Sequence, residues 1–488
     1  MGKMVSLGLA AMVLGASASS MAADAPPPPE LSPRMKKTAD ALIDGALKDD
    51  LAFRLVESLT TEVGPRLAGS AQEARARDWA VRKLKELGFR NVHVEPFKVR
   101  RWTRGAEYAA ITSPFPQKLH VTALGNSAAT PKGGVEAEIV RFETLTELEA
   151  APATGLKGKI VFVDEKMPRT QNGAGYGLAV AKRSGAAVEA GRRGAVAAII
   201  RSAGTDQHRN PHTGAMRYEE GVTPVPIGAI SNPDADQLAR ALKRGPVHVR
   251  LMLDVKGGGH ATRAWEGAPS EMADSGNVIA EIPGQTDEII IVGAHLDSWD
   301  LATGAVDDGA GVGIVTAAAK MVGDLPGKPK RTIRVVLFGS EEFGLVGARA
   351  YVQAHKDEMD KHIVGAESDF GAGRIWRMQT GLGEDKLPRA APFLRVLRRL
   401  GVTQGDNNGS GGSDMSLVHK AGTPGVSFTQ DGTDYFDLHH TPDDTLDKID
   451  PDALAQNVAV YAAFIYLASE LPGDFRAAEE KTETAAAN

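Results

Sequence analysis

The chain has no cysteine. That absence removes a disulfide framework, a thiolate nucleophile and every thiolate metal ligand, so a metal site could draw only on imidazole and carboxylate donors. Aromatic residues are scarce, at 5%. No G-x-S-x-G elbow is present, which argues against a serine hydrolase. Positive charge is not in excess either: 56 Lys and Arg stand against 62 Asp and Glu, a formal net charge of −6. Such a chain offers no field for nucleic acid. Its densest basic groups, Arg100/Arg101/Arg104 and Arg395/Arg398/Arg399, are short and read as solvated faces. After the amino-terminal segment, no apolar window approaches the roughly 20 residues that span a bilayer.

What is present is an ordinary globular composition, 42% hydrophobic and 24% charged, in 488 residues. That length exceeds what one hydrophobic core holds, so two domains are expected. Residues 1–23 carry one Lys, an apolar run and a small-residue end at Ala22/Ala23, the pattern of a secretory signal peptide. No Cys follows, which excludes a lipoprotein anchor. Residues 24–34 include PPPP and read as a linker.

A main domain is expected to begin at residues 35–124. Leu51, Leu55 and Leu59 give helical spacing, Gly64-Pro65 stops it, and Ser70 with Glu73 forms a capping box for a further helix. Val92 to Val99 suits a strand interrupted at Pro96. Residues 125–258 change texture to short strands, many glycines and small helices, and read as an inserted spacer without chemistry of its own. The main pattern resumes over 259–471 and ends in a helix opened by Asp450-Pro451. The polar, Ala-rich tail 472–488 reads as disordered.

The chemistry collects around Ile289 to Val346. Two β-branched runs, Ile289–Val292 and Ile333–Phe338, read as buried parallel strands. His295 follows the first and Glu341-Glu342 the second, with Asp307-Asp308 and a Gly/Ala-rich helix between. Polar residues at strand carboxyl ends are where open α/β sheets bind ligands. Asp369 ends another apolar run, and His440 stands in H-T-P-D-D-T. Each has an ordinary alternative: Asp308, for instance, suits a helix cap. Adjacent carboxylates after a buried strand, however, need a cation or a proton between them. Two His, three carboxylates and a spare Glu suit two divalent ions sharing a carboxylate and a water, with the spare Glu as proton carrier.

The order H-x-D, D-D-G, E-E, a later D and H-[TS]-x-x-D-T resembles the co-catalytic di-zinc exopeptidase family, which includes secreted bacterial aminopeptidases and glutamate carboxypeptidases. HLDSWD, the following G-A-x-D-D-G and the ESD ending at Asp369 are most similar to its carboxypeptidase Q branch and bacterial relatives. The resemblance covers about 35–471, with the insert resembling a protease-associated domain. It implies an α/β fold: a mixed, mostly parallel sheet sandwiched by helices. It implies two Zn2+ ions, with Asp307 bridging, His295 and Asp369 on one, and Glu342 and His440 on the other. Glu341 becomes the general base, Asp297 the carboxylate behind His295, and the Asp307–Asp308 peptide cis. His440 is preferred to His439 because the T-x-x-D-T tail registers from it. Tyr435 and His439, and the Gly-rich segment around Asp414, are substrate-side candidates. The implied activity is a periplasmic or secreted exopeptidase acting on dipeptides or the amino-terminal residues of short peptides, as a homodimer. A carboxypeptidase for acidic carboxyl-terminal residues, with Arg374 and Arg377 as the nearest basic candidates, is one alternative. A receptor-like protein on a silent fold and a glutaminyl cyclase-like acyltransferase are the others.

Overall fold

The computed structural model describes residues 29–476, so the expected signal peptide and most of the expected tail lie outside the described residues. Two eight-stranded mixed sheets carry the fold. The first runs, edge to edge, through Arg90–Arg100, Met272–Ile282, Thr332–Phe338, Ile289–His295, His362–Glu367, Gly425–Gln430, Ile375–Gly381 and Thr403–Gln404. Its middle four strands are mutually parallel, from Thr332–Phe338 to Gly425–Gln430. Antiparallel strands flank them on either side.

Buried on both faces, Ile289–His295, Thr332–Phe338 and His362–Glu367 are mainly apolar runs, whereas Gly425–Gln430 alternates, with Ser427 and Thr429 half-buried. Helices Pro33–Ala46, Leu51–Glu62, Ala310–Gly323 and Pro451–Glu470 pack together on one core. Val346–Ala354 and Met415–Lys420 line a smaller one with Ile291 and Val336. Ala310–Gly323 is hydrophobic nearly all round because other helices and the sheet enclose it. Gly313 permits its approach to Leu51–Glu62: a Cβ there would meet the Ala52 carbonyl at 2.7 Å. The sandwich of helices about a mixed sheet is as the sequence implied.

The second sheet runs through Gln117–Leu119, Thr103–Ser113, His248–Lys256, Val135–Phe142, Ile160–Val163, Ala197–Arg201, Ile227–Ile230 and Val121–Ala123. It therefore begins at Thr103, not at 125. Residues 103–124 of that sheet's span fall within the expected first part of the main domain, yet Thr103–Ser113 pairs with His248–Lys256 along nearly its whole length. Sequence texture marked the start of the glycine-rich loops, whereas hydrogen bonding marks the domain.

Three smaller differences have local causes. The first helix starts at Pro33, within the expected linker, because the Ser32 hydroxyl caps the Met35 amide at 3.2 Å. Arg90–Arg100 is one unbroken strand, since Pro96 lies on an edge strand, where its missing N–H costs no ladder bond. Of the tail, residues 472–476 are packed: Phe475 is fully buried, its ring 5.8 Å from Phe393.

Candidate metal centre

The polar groups expected at the centre lie at or beyond the carboxyl ends of strands of the first sheet, His440 just after the short helix Tyr435–Leu438 that follows Gly425–Gln430. His295 closes Ile289–His295; Glu341 and Glu342 follow Thr332–Phe338; Asp369 follows His362–Glu367. Asp307 and Asp308 stand before Ala310–Gly323, and the peptide between them is cis.

Asp307 is at the middle. Its Oδ1 lies 3.0 Å from His295 Nε2, and its Oδ2 lies 3.3 Å from His440 Nε2. Asp369 Oδ1 is 3.4 Å from the same atom of His295, and Glu342 Oε2 is 3.0 Å from that of His440. Backbone acceptors fix both rings. His295 Nδ1 donates to the Asp297 carbonyl at 3.0 Å, and His440 Nδ1 to the Thr213 carbonyl at 3.2 Å. A carbonyl cannot donate, so the proton of each neutral ring sits on Nδ1 and the Nε2 lone pair faces carboxylate oxygens. Lone pairs at these distances repel unless a cation stands between them. Four donors around an ion at 2.0–2.1 Å are about 3.3 Å apart along a tetrahedral edge. The observed spacings match. With no ion, the same conflict appears as displaced protonation: burial opposes it, yet Glu342 and Asp307 raise His440 to about 9. The donor set fits a pair of divalent ions.

The remaining carboxylates sort by their partners. Asp308 is spent on main chain, Oδ2 accepting from the His295 amide and Oδ1 from the Gly311 amide, each at 3.0 Å. It is a cap, although it also lies among potential donors with His295 and Asp369. Glu342 keeps Oε1 without a partner and is the more available ligand. Glu341 is half-buried at the cavity wall. Burial, against the pull of His295 and with the like charges of Asp369 and Glu342, holds its carboxyl well above the usual range. Asp297 lies on the Nδ1 side of His295. Its carbonyl takes the His295 proton, while its Oδ1 accepts from the Glu341 amide at 3.0 Å and stands 3.7 Å from the ring.

Of the substrate-side candidates, Tyr435 and His439 line a cavity of about 1100 Å³ that opens over Asp307, Glu341 and Glu342. The His439 ring stacks on His440 with centroids 3.5 Å apart, its Nε2 3.7 Å from Asp307. Asp414 is not brought to the cavity. It is fully buried behind the wall, on a segment folded around Glu367, whose carboxylate accepts from the Met415 amide.

Three contributors were missed. Asp444, the second Asp of H-T-P-D-D-T, accepts from the Val306 amide at 2.6 Å and the Asp307 amide at 3.3 Å, fixing the bridging residue. Its motif was the available signal. Arg66, wholly buried, donates to the carbonyls of Leu296, Thr303 and Gly304, fixing the two ends of the loop that runs from His295 to Asp307. A lone Arg after Gly-Pro gives no such signal. The second sheet also enters the site, against the expectation of a spacer without chemistry. The Thr213 carbonyl holds His440, the His212 ring meets the His439 carbonyl at 2.7 Å, and Tyr176 and Arg183 line the cavity.

Residues 277–465 match the model of peptidase family M28. Carboxypeptidase Q of Mus musculus is 35% identical over 85% of this chain and 84% of its own length. The solved structure of a peptidase M28 precursor from Shewanella amazonensis superposes with a TM-score of 0.87 at 50% identity, covering 92% of this chain and 99% of that one. A zinc aminopeptidase from Bacillus subtilis shares the fold, with a TM-score of 0.62 at 21% identity over 87% of this chain and 98% of its own.

Proposed function

Because the chain belongs to peptidase family M28, we propose that it is an exported di-zinc exopeptidase that hydrolyses dipeptides or removes amino-terminal residues from short peptides. One observation carries the reading: two imidazoles with their lone pairs turned toward Asp307, each flanked by a further carboxylate. Nitrogen and oxygen donors without sulfur in four-fold surroundings favour zinc among the divalent ions. His295, Asp307 and Asp369 would hold one ion, and Asp307, His440 and Glu342 the other.

When bound, zinc supplies Lewis acidity that polarises the scissile carbonyl and acidifies a water. The chain supplies the proton traffic. Glu341, with its carboxyl pushed up by burial, is poised to take a proton from the attacking water and return it to the leaving amine. Asp297 orients it by accepting its main-chain N–H. Burial and the surrounding carboxylates keep the Tyr435 phenol protonated, as a hydrogen-bond donor toward the developing oxyanion requires. The second sheet forms one wall of the cavity and limits substrate length.

The test compares a free dipeptide, its N-acetylated and C-amidated forms, and a pentapeptide on zinc-loaded protein, with Glu341→Ala as control. Cleavage that needs the free amine and is lost in the variant supports the reading. Cleavage of the N-blocked peptide but not the C-amidated one makes it a carboxypeptidase. No metal-dependent cleavage of any of them removes the peptidase assignment.

A further inference from the structure

The two imidazoles at the centre are held in different ways. His295 ends a strand, opposite Phe338 in the parallel ladder, and its Nδ1 donates to the Asp297 carbonyl two residues on. The first sheet and its own loop therefore fix it. His440 follows the short helix Tyr435–Leu438 and has a φ of 62°, in the left-handed region that a residue with a Cβ enters at a cost. Such a conformation persists only where its surroundings enforce it. The first domain reaches this main chain through the His439 amide, which donates to the Tyr435 carbonyl at 3.0 Å. The carbonyls of His439 and His440 are taken up from the other domain.

His212 Nδ1 donates to the His439 carbonyl at 2.7 Å, a group that can only accept, and the Thr213 amide donates to the His440 carbonyl at 3.0 Å. The Thr213 carbonyl accepts in return from His440 Nδ1 at 3.2 Å. Two consecutive residues are thus gripped across the domain boundary, and the grip is braced from behind. His212 is fully buried, with its Nε2 2.8 Å from Asp206 Oδ1 and its amide donating to the Ser202 hydroxyl at 2.9 Å. Asp206 also accepts from the His208 amide at 2.9 Å and from Asn232 Nδ2 at 3.2 Å. Gly204 makes room for the ring: a Cβ there would fall 2.1 Å from its Cε1. The Thr213 hydroxyl donates to the Ala123 carbonyl at 2.9 Å, which ties the same loop into its own sheet.

We propose that His212, braced by Asp206, is a positioning residue for the metal ligand His440. It holds the His439–His440 main chain in the strained form that turns His440 Nε2 toward Glu342 and Asp307, 3.0 and 3.3 Å away. The proposal rests on the di-zinc reading above. His212 is spent on a main-chain carbonyl and a carboxylate, so it acts through His440 and not on substrate. Release of that grip lets the backbone leave the left-handed region, and the imidazole turns with it. The ion of His440 and Glu342 is therefore held jointly by the two domains, whereas the first domain alone holds the ion of His295 and Asp369.

The test is zinc bound per chain, measured by atomic absorption after dialysis against a series of zinc–chelator buffers, which gives the affinities of both ions. His212→Phe fills the space and donates nothing. It should weaken the ion held by His440 about 10- to 100-fold, as loss of a partner behind a ligand does, and leave the other ion unchanged. His212→Asn, whose amide can donate where Nδ1 does, should fall between. Glu342→Gln identifies the ion: at a zinc level where that variant has lost it, adding His212→Phe should release no more. The ratio of the two affinities is internal to each preparation, and general misfolding weakens both ions together. A ratio that neither His212 variant changes overturns the assignment while leaving the di-zinc reading in place. A wild-type protein that never binds a second ion overturns both.

Discussion

The two sheets bury ionised groups under opposite rules. In the second, burial comes with pairing. Arg201 sits between Asp164 and Asp236 at 2.7 and 2.6 Å, and Asp234 gathers Ser231, His120 and Arg209. At the strand ends of the first, Asp307, Glu341, Glu342 and Asp369 crowd one another around His295 and His440, with His439 3.7 Å from Asp307. The second sheet's charges are explained by sequence-encoded neighbours; those of the first call for a cation or a proton among them.

The largest break in the comparison should come from Glu341→Gln. It leaves the Asp307-centred donor set whole and removes the proton carrier, so kcat should fall about 10²- to 10⁴-fold. Zinc content by atomic absorption should stay at the wild-type value. Loss of zinc together with activity would make Glu341 a ligand. Next is removal of the ions. A chelator should abolish activity and lower the thermal midpoint, because a ligand at about 1,000 times its Kd contributes roughly 4 kcal/mol. Asp307→Asn should mimic both effects, whereas Arg201→Met should lower stability without altering the response to chelator. An Arg201→Met protein that lost zinc would end the distinction between the sheets.

The legible part of the molecule was the part with periodicity or motif. Three of the four parallel strands were visible as apolar runs, while Gly425–Gln430, interleaved with Ser427 and Thr429, was not; the helix after Asp308 was visible because Gly and Ala fill it. Asp444 was within a quoted motif, yet its contacts are to amides of a loop more than 130 residues earlier in the chain. Arg66 was invisible for the same reason: it acts on the Leu296 carbonyl, 230 residues away. The boundary at Thr103 was missed because a strand's sheet is chosen by its partner, and the partner, His248–Lys256, comes far later. Local pattern encodes elements, while long-range hydrogen bonds assign them.

A smaller effect is expected where the two domains join. Arg104, 9% exposed at its side chain, spans Asp300 of the first domain and Glu107, Thr122 and the Ala123 carbonyl of the second. Arg104→Met leaves Asp300 and Glu107 without their shared cation and should cost about 3–5 kcal/mol in urea unfolding. If the second sheet's domain is only a spacer, kcat should not change. If it positions Thr213 against His440, KM or kcat should shift as well.

The smallest effect decides whether unpaired burial belongs to the first sheet as a whole or only to its strand ends. Away from the metal centre, His355 lies 2.8 Å from Glu95 and against Glu358, which also accepts from Arg334 at 2.9 Å. Burial opposes both shifts, but these bonds raise His355 and lower Glu358 to about 2. The raised histidine adds stability that is complete below its unfolded value of 6.5 and fades as pH climbs through its folded value. The depressed glutamate adds stability that is complete above 4.5 and fades as pH falls toward 2. His355→Gln should therefore flatten the alkaline decline of the unfolding midpoint above pH 6.5, and it should also soften the acid limb, because His355 helps to lower Glu95 and Glu358. The change should be roughly 1 kcal/mol, given the partial exposure of both carboxylates. A flattened alkaline limb means that this sheet pairs its charges as the other does, so the carboxylate crowding is particular to the strand ends that face the cavity. An unchanged limb means that the sheet tolerates unpaired charge generally, and crowding around Asp307 then loses its force as evidence for an ion.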